Sequence, residues 1–387
     1  MCGCLTGVAH PRQPECVFGT WPASSKGSRD AAVSRSDFWS LTMKQYAARL
    51  GEHLRNRLFL YASAAIALGW TLGVAFPQAA SNHTQALSRV MNVLVVLMIY
   101  PMMIGLNLSQ LPRALQQPRP LLLSLFYNFV VTPVLSVILV QAMYAPPELA
   151  LGFYLVMLIP GASMAVAFTG MAGGSVEVAT LAQAAGFLVV PFALPLFMHW
   201  AGQSQALSVP LASLVSTVVL VLIVPMVLGD LTRRALVRRF GATVLLTIKP
   251  FLGVIPALTM LLVMLLIFFS KGAMLAQNWQ MLVPLMVATL VFLLSILALM
   301  TWLNRRLGLS YAQHTAVAFV SSGKNNATAI AIALSTAGLG PLVAVPAATL
   351  PMFQAVLLVG YVHLAHRLRR YFGECPAEAS GLAPQKI

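Results

Sequence analysis

The chain has 387 residues, of which 59% are hydrophobic and 9% charged, with a formal net charge of +15. Soluble domains carry about 25% charged residues, so this composition excludes a water-soluble domain and indicates a polytopic membrane protein. The positive balance does not point to nucleic acid, because Lys and Arg fall in short clusters between apolar runs and not on one face or in one tail.

Residues 1–42 are polar, rich in Ser, Gly, Pro and Arg, and hold no apolar run of the kind a signal peptide requires. They read as disordered. Met43 opens a segment of alternating charge and hydrophobicity, Lys44 to Arg57, and reads as the natural start, with what precedes it an extension without function. Residues 1–57 form the N-terminal segment. Cys2, Cys4, Cys16 and Cys375 all lie outside the apolar stretches, and their spacings support no metal site. No metal and no cofactor is expected.

A spanning helix needs about 20 mostly apolar residues. Ten stretches qualify, over 58–76, 90–108, 121–143, 149–171, 176–199, 208–229, 250–270, 280–302, 313–336 and 341–365. Basic residues alternate in the connections. Lys44, Arg49, Arg55 and Arg57 precede the first stretch, and Arg113 and Arg119 follow the second. Arg233, Arg234, Arg238 and Arg239 follow the sixth, Arg305 and Arg306 the eighth, and Arg367, Arg369 and Arg370 the tenth. The opposite connections hold Arg89 and Lys271. The positive-inside rule then places both termini in the cytoplasm, with the protein in the cell (inner) membrane.

Dividing the chain after the fifth stretch gives two five-helix repeats, 58–199 and 208–365, followed by a tail, 366–387. An odd number of spans per half inverts the second half relative to the first, as in many secondary transporters. The fourth stretch of each half is interrupted, by Pro160 and Gly161 in one and by Gly323 within Ser321-Ser322-Gly323-Lys324-Asn325-Asn326 in the other. Pro removes a backbone donor, and Gly and Asn tolerate non-helical geometry. Broken helices at matching positions point to a midplane binding site enclosed by protein. The second stretches match loosely, through Pro101 and Pro256.

Lys324 lies in the middle of the ninth stretch, and no Asp, Glu or Arg lies well inside any other. A charge at that depth costs about 2.5–3.5 kcal/mol on insertion scales and usually faces a cavity. It has several readings: a side chain that snorkels to an interface, a fixed charge holding the broken helices together, a counter-ion for an anionic solute, or a group coupling transport to protons. Asn325, Asn326 and Thr328 either satisfy the freed backbone or contact solute or ion. Ser163 and Thr169 are more often hydroxyls bonding their own helix. Asn128 and Gln183 are amides at helix depth, and Ser321 and Ser322 suit both close packing and solute contact. His314 is a possible relay, although a lone His is usually structural.

Ile99-Tyr100-Pro101-Met102-Met103, Asn128 within Phe126-Tyr127-Asn128-Phe129, and the two interruptions resemble the bile acid:sodium symporter superfamily, which includes the arsenite efflux permeases. The resemblance covers about residues 58–370. It implies a core domain with two crossed broken helices, a panel domain beside it, and a solute site between them. It also places Asn128 where sodium-coupled relatives carry Gln. Their acidic residue and Gln of the second broken helix fall on Ser321 and Asn325, their Ser-Asn pair on Ala165 and Val166, and further sodium ligands on Ala179 and Gln183. The Cys of the arsenite permeases falls on Gly161, and their acidic residue on Ala327. A hard cation needs several oxygen ligands, and several are missing here.

These features predict an all-α secondary transporter that moves a small anionic organic solute by alternating access, with Lys324 as counter-ion or proton-coupling group. Its partners would be the solute, a coupling ion (proton or sodium) and the lipid bilayer, with no nucleic acid. The alternatives are a sodium-coupled organic anion symporter, a cysteine-independent arsenite or metalloid efflux permease, and an anion channel. The stretches hold no paired acid and base and no activated nucleophile, so no enzyme is expected. Without a Gly-x-x-x-x-Gly-Lys motif, active transport would draw on an ion gradient or a partner.

Overall fold

The computed structural model describes residues 57–106, 118–143, 146–161, 163–205, 210–241 and 243–374, with a few positions between 46 and 54, all within the compact unit Met43–Ile387. The predicted disordered segment, all four cysteines, Lys44, Arg55, Arg113 and the end of the tail lie outside the described residues.

The described residues form helices and no strand. They are α1 (Leu58–Ala75), the short α2 (Pro77–Asn82), α3 (Thr84–Gly105), α4 (Pro118–Ala142), α5 (Pro147–Met157), α6 (Ser163–Met171) and α7 (Val176–Ser204). There follow α8 (Leu211–Phe240), α9 (Thr243–Gln277), α10 (Leu282–Arg306), α11 (Tyr311–Ser322), α12 (Asn326–Ser335), α13 (Pro341–His363) and α14 (Ala365–Tyr371). Eight of these, α1, α3, α4, α7, α8, α9, α10 and α13, are long and apolar enough to cross a membrane. The fourth and ninth predicted stretches are instead pairs of short helices, α5 with α6 and α11 with α12. The predicted basic loop after the sixth stretch is mostly helix. Arg233, Arg234, Arg238 and Arg239 ride on the last turns of α8, which stops at Gly241, a residue at φ 79° that L side chains rarely adopt.

Prolines at 101, 191, 195, 250, 256, 346 and 351 sit within helices. Pro101 and Pro256 therefore mark no break. Interior prolines are tolerated in such helices because neighbours and local adjustments re-satisfy the freed backbone groups.

Many large apolar side chains face outward, among them Phe192 at 74% exposure and Leu196 at 65%. An apolar outer surface of this extent suits lipid, not water. Helix α9 runs along α1 and α3, and α8 packs on α3; α13 runs along α5 and α12, and α7 lies against α4 and α11. The α1–α9 contact is backbone-close, since a Cβ on Gly69 would overlap the Leu265 carbonyl and one on Gly73 would come within 3.0 Å of Gly272 Cα.

Candidate functional site

The two interruptions meet. After α5 the chain leaves helical geometry through Ile159, Pro160 and Gly161 before α6 begins, and after α11 it does so through Gly323, Lys324 and Asn325 before α12 begins. Gly161 N donates to Val320 O in the last turn of α11 at 2.8 Å and Asn325 N to Ile159 O at 3.4 Å, so backbone groups freed at each break find partners across the crossing. A Cβ on Gly161 would overlap Gly323 O and stand 2.7 Å from Ala165 Cβ. The position that carries Cys in arsenite permeases is therefore closed here to any side chain.

Lys324 points away from water and is 2% exposed. Its Nζ donates to Asn128 Oδ1 at 2.9 Å and to Thr132 Oγ1 at 3.5 Å, and lies 5.9 Å from the centroid of the Phe292 ring. Two oxygens and an aromatic face suit an ammonium group. The described carboxylates are Glu148, Glu177, Asp230 and Glu374, and none forms an ion pair with it; Asp230 is paired with Arg234. Asn128 sits in a π-helical turn of α4, Tyr127–Val131, a local widening often found at functional sites. Its amide orientation follows from its neighbours: Nδ2 donates to Ser124 O at 2.9 Å and to Ser321 Oγ at 3.1 Å, which turns Oδ1 to the amine.

Gln354 of α13 holds the backbone of the break in both directions. Its Oε1 accepts from Lys324 N at 3.0 Å and its Nε2 donates to Lys324 O at 3.2 Å. Asn325 Oδ1 accepts from Thr328 N at 3.2 Å and so caps α12, while its Nδ2 lies 3.5 Å from Met102 Sδ on α3. Among the described residues, two buried oxygens have no partner, Asn326 Oδ1 and Thr328 Oγ1.

The predicted residues thus divide. Lys324, Asn325, Asn326, Thr328, Ser321 and Asn128 come together at the crossing, and Ser322 beside them bonds its own helix at Ala318 O, 2.6 Å. Thr169 also bonds its own helix, at Ala165 O, 2.9 Å. The Ser163 side chain lies outside the described residues. Gln183 is buried on α7, and no hydrogen bond among the described residues joins it to the cluster. The sequence reading missed Thr132, Gln354 and Phe292. Thr132 is one turn beyond Asn128, and Gln354 is a lone amide in an apolar span. Those were the available signals; nothing in the sequence marks Phe292.

A second buried chain of hydrogen bonds lies at the other end of α11. Tyr127 OH donates to Asn304 Oδ1 at 2.7 Å, which turns Asn304 Nδ2 to His314 Nδ1 at 3.0 Å. His314 Nε2 therefore carries the proton and donates to Tyr361 Oη at 2.8 Å. Tyr361 OH in turn meets Thr301 Oγ1 at 2.6 Å. This chain braces α4, α10, α11 and α13, and the Asn304 amide, which does not pass a proton along, interrupts it between Tyr127 and His314. Tyr361→Phe would strand the buried His314 N–H; the expected cost is about 1–3 kcal/mol in an unfolding measurement, with the pH profile of transport unchanged. A displaced pH profile would restore His314 as a relay.

The sequence model of the sodium bile acid symporter family matches residues 92–278, from within α3 to just past α9. Lys324 lies beyond that match. An uncharacterized transporter of Synechocystis sp. is 23% identical over 360 residues, 85% of this chain and 93% of that protein. The P3 proteins of Mus musculus and Homo sapiens are each 28% identical over 151 residues, which is 38% of this chain and 31% of theirs. This chain thus matches under a third of the length of the P3 proteins. Together with the apolar helices, these similarities indicate a multi-pass membrane protein that is similar to transporters of the sodium bile acid symporter family.

Proposed function

We propose that this protein is a secondary transporter of a small anionic organic solute. It would cross the membrane ten times, through the eight long helices and the two broken ones, as an inverted pair of five-helix repeats. Both termini would then be cytoplasmic. In this reading α1, α3, α8 and α9 form a panel, the remaining spans form a core, and alternating access moves one against the other around the crossing.

The observation that carries the proposal is the buried Lys324 amine, held by neutral oxygens and a ring with no carboxylate partner among the described residues. Its charge makes the crossing favourable for an anion. Helices α6 and α12 both begin at the break, and helix N-termini add positive potential there. The unpartnered Asn326 and Thr328 oxygens, on the first turn of α12, are the contacts we assign to the solute. Lys324 itself stands against Asn128, the position where sodium-coupled relatives carry Gln, and so supplies as a fixed charge what sodium supplies there.

A thermal-unfolding panel of small carboxylates and sulfonates, in sodium or choline salts, tests this. A ligand that binds the native state raises its stability, by about 2.7 kcal/mol at one hundred times its Kd. Organic anions are expected to stabilise the wild type equally in both salts and to lose that effect in Lys324→Met. Stabilisation by sodium alone would return the protein to sodium symport. Uptake into proteoliposomes driven by a pH step without sodium would assign proton coupling.

A further inference from the structure

A second positively charged site lies away from the crossing, at the end of α10. Trp302, Arg305 and Arg306 on its last turns and Tyr371 at the end of α14 line a half-open surface cleft of about 420 Å³. The Arg305 guanidinium lies 3.9 Å from the centroid of the Tyr371 ring, and that of Arg306 lies 5.9 Å from the Trp302 ring. Neither has a carboxylate partner among the described residues. The carboxylate nearest in sequence to Tyr371, Glu374, accepts from Tyr311 N at 3.0 Å.

The bland reading is that two arginines in the last turn offset the helix dipole and help set orientation. That accounts for their charge. It does not account for two rings set against them around one cleft. An arginine stacked on a ring has its face occupied and keeps its N–H edge free, the edge that matches phosphate in a bidentate fork. Trp302 is 52% exposed at the end of an apolar span, the level at which Trp rings meet lipid headgroups. The carbonyl end of α10 opposes an anion, so binding rests on the guanidinium edges.

We infer that this cleft binds a phosphate-bearing anion, supplied by the headgroup of an anionic phospholipid. Clusters of basic residues beside a membrane span are one means of holding such headgroups. The test measures thermal stability of the detergent-purified full chain against added phosphatidylglycerol, phosphatidylcholine, or inorganic phosphate alone. Phosphatidylglycerol is expected to stabilise the wild type where phosphatidylcholine does not. Its apparent affinity should fall about tenfold in R305Q/R306Q and less than about twofold in R238Q/R239Q, a basic pair outside this cleft. Tyr371→Leu, which keeps both charges and frees Arg305, should fall between the two. Equal losses in both arginine pairs would mean diffuse surface charge and overturn the site, as would equal effects of the two lipids. Stabilisation by inorganic phosphate at matching concentrations would assign the cleft to free phosphate and overturn the lipid source.

Discussion

Asn128→Leu is expected to destabilise the protein more than Lys324→Met, although the lysine is the larger side chain. The first variant leaves a buried amine with Thr132 and the Phe292 ring as its remaining partners. Hydrogen bonds to charged groups contribute about 1.5–3 kcal/mol, and a buried charge that loses its partner costs more than the bond itself. The second variant removes the charge and leaves Asn128 Oδ1 without its partner, at about 1–3 kcal/mol, while the Thr132 hydroxyl loses only a long contact of 3.5 Å. The double variant should resemble Lys324→Met alone. Equilibrium unfolding of all four proteins gives the coupling directly. Additive effects would mean that the Nζ–Asn128 bond does not persist in the folded protein. Transport separates the lysine's roles: if charge at the crossing draws the solute, Lys324→Met is inactive despite its modest cost, and a double variant that regains transport would make the lysine a structural brace.

Gly161→Ala should be severe for so small a change. The added methyl would overlap the Gly323 carbonyl, a backbone atom at the other break, and crowd Ala165 Cβ at 2.7 Å. Overpacking of this kind costs about 1–3 kcal/mol and sometimes more, because neither backbone can yield without losing the bonds that hold the crossing. Gly253→Ala is the control: nothing lies within 4 Å of its new methyl, and in a helix interior Ala is favoured over Gly by about 1 kcal/mol. Gly161→Cys should fare no better than Gly161→Ala and should not confer arsenite binding, measured by calorimetry on the purified protein. A stable Gly161→Cys that binds arsenite would mean that the crossing opens further than this conformation.

Much of the architecture was legible because the signals are local. Apolar runs of spanning length located the helices to within a few residues at most ends, and Pro160, Gly161 and Gly323 located the breaks. The ends that were misjudged have local causes as well. Leu231 to Phe240 is polar enough to resemble a loop, yet its Arg, Leu and Ala residues are good helix formers, and α8 runs on to Gly241.

The contacts were not legible in the same way. A helix in lipid is apolar both where it meets protein and where it meets acyl chains, so periodicity does not tell which face turns inward. For that reason the sequence by itself determined that the chain has helices apolar enough to span a membrane, where two of its helices break, and that Lys324 stands within one of the broken apolar stretches. Only the tertiary structure decided that this lysine meets Asn128, 196 residues away, that Gln354 holds its backbone, and that Asn326 and Thr328 keep oxygens without a partner among the described residues. Burial of a charge follows from its position in an apolar run, whereas its partners depend on how separate helices rotate and approach one another.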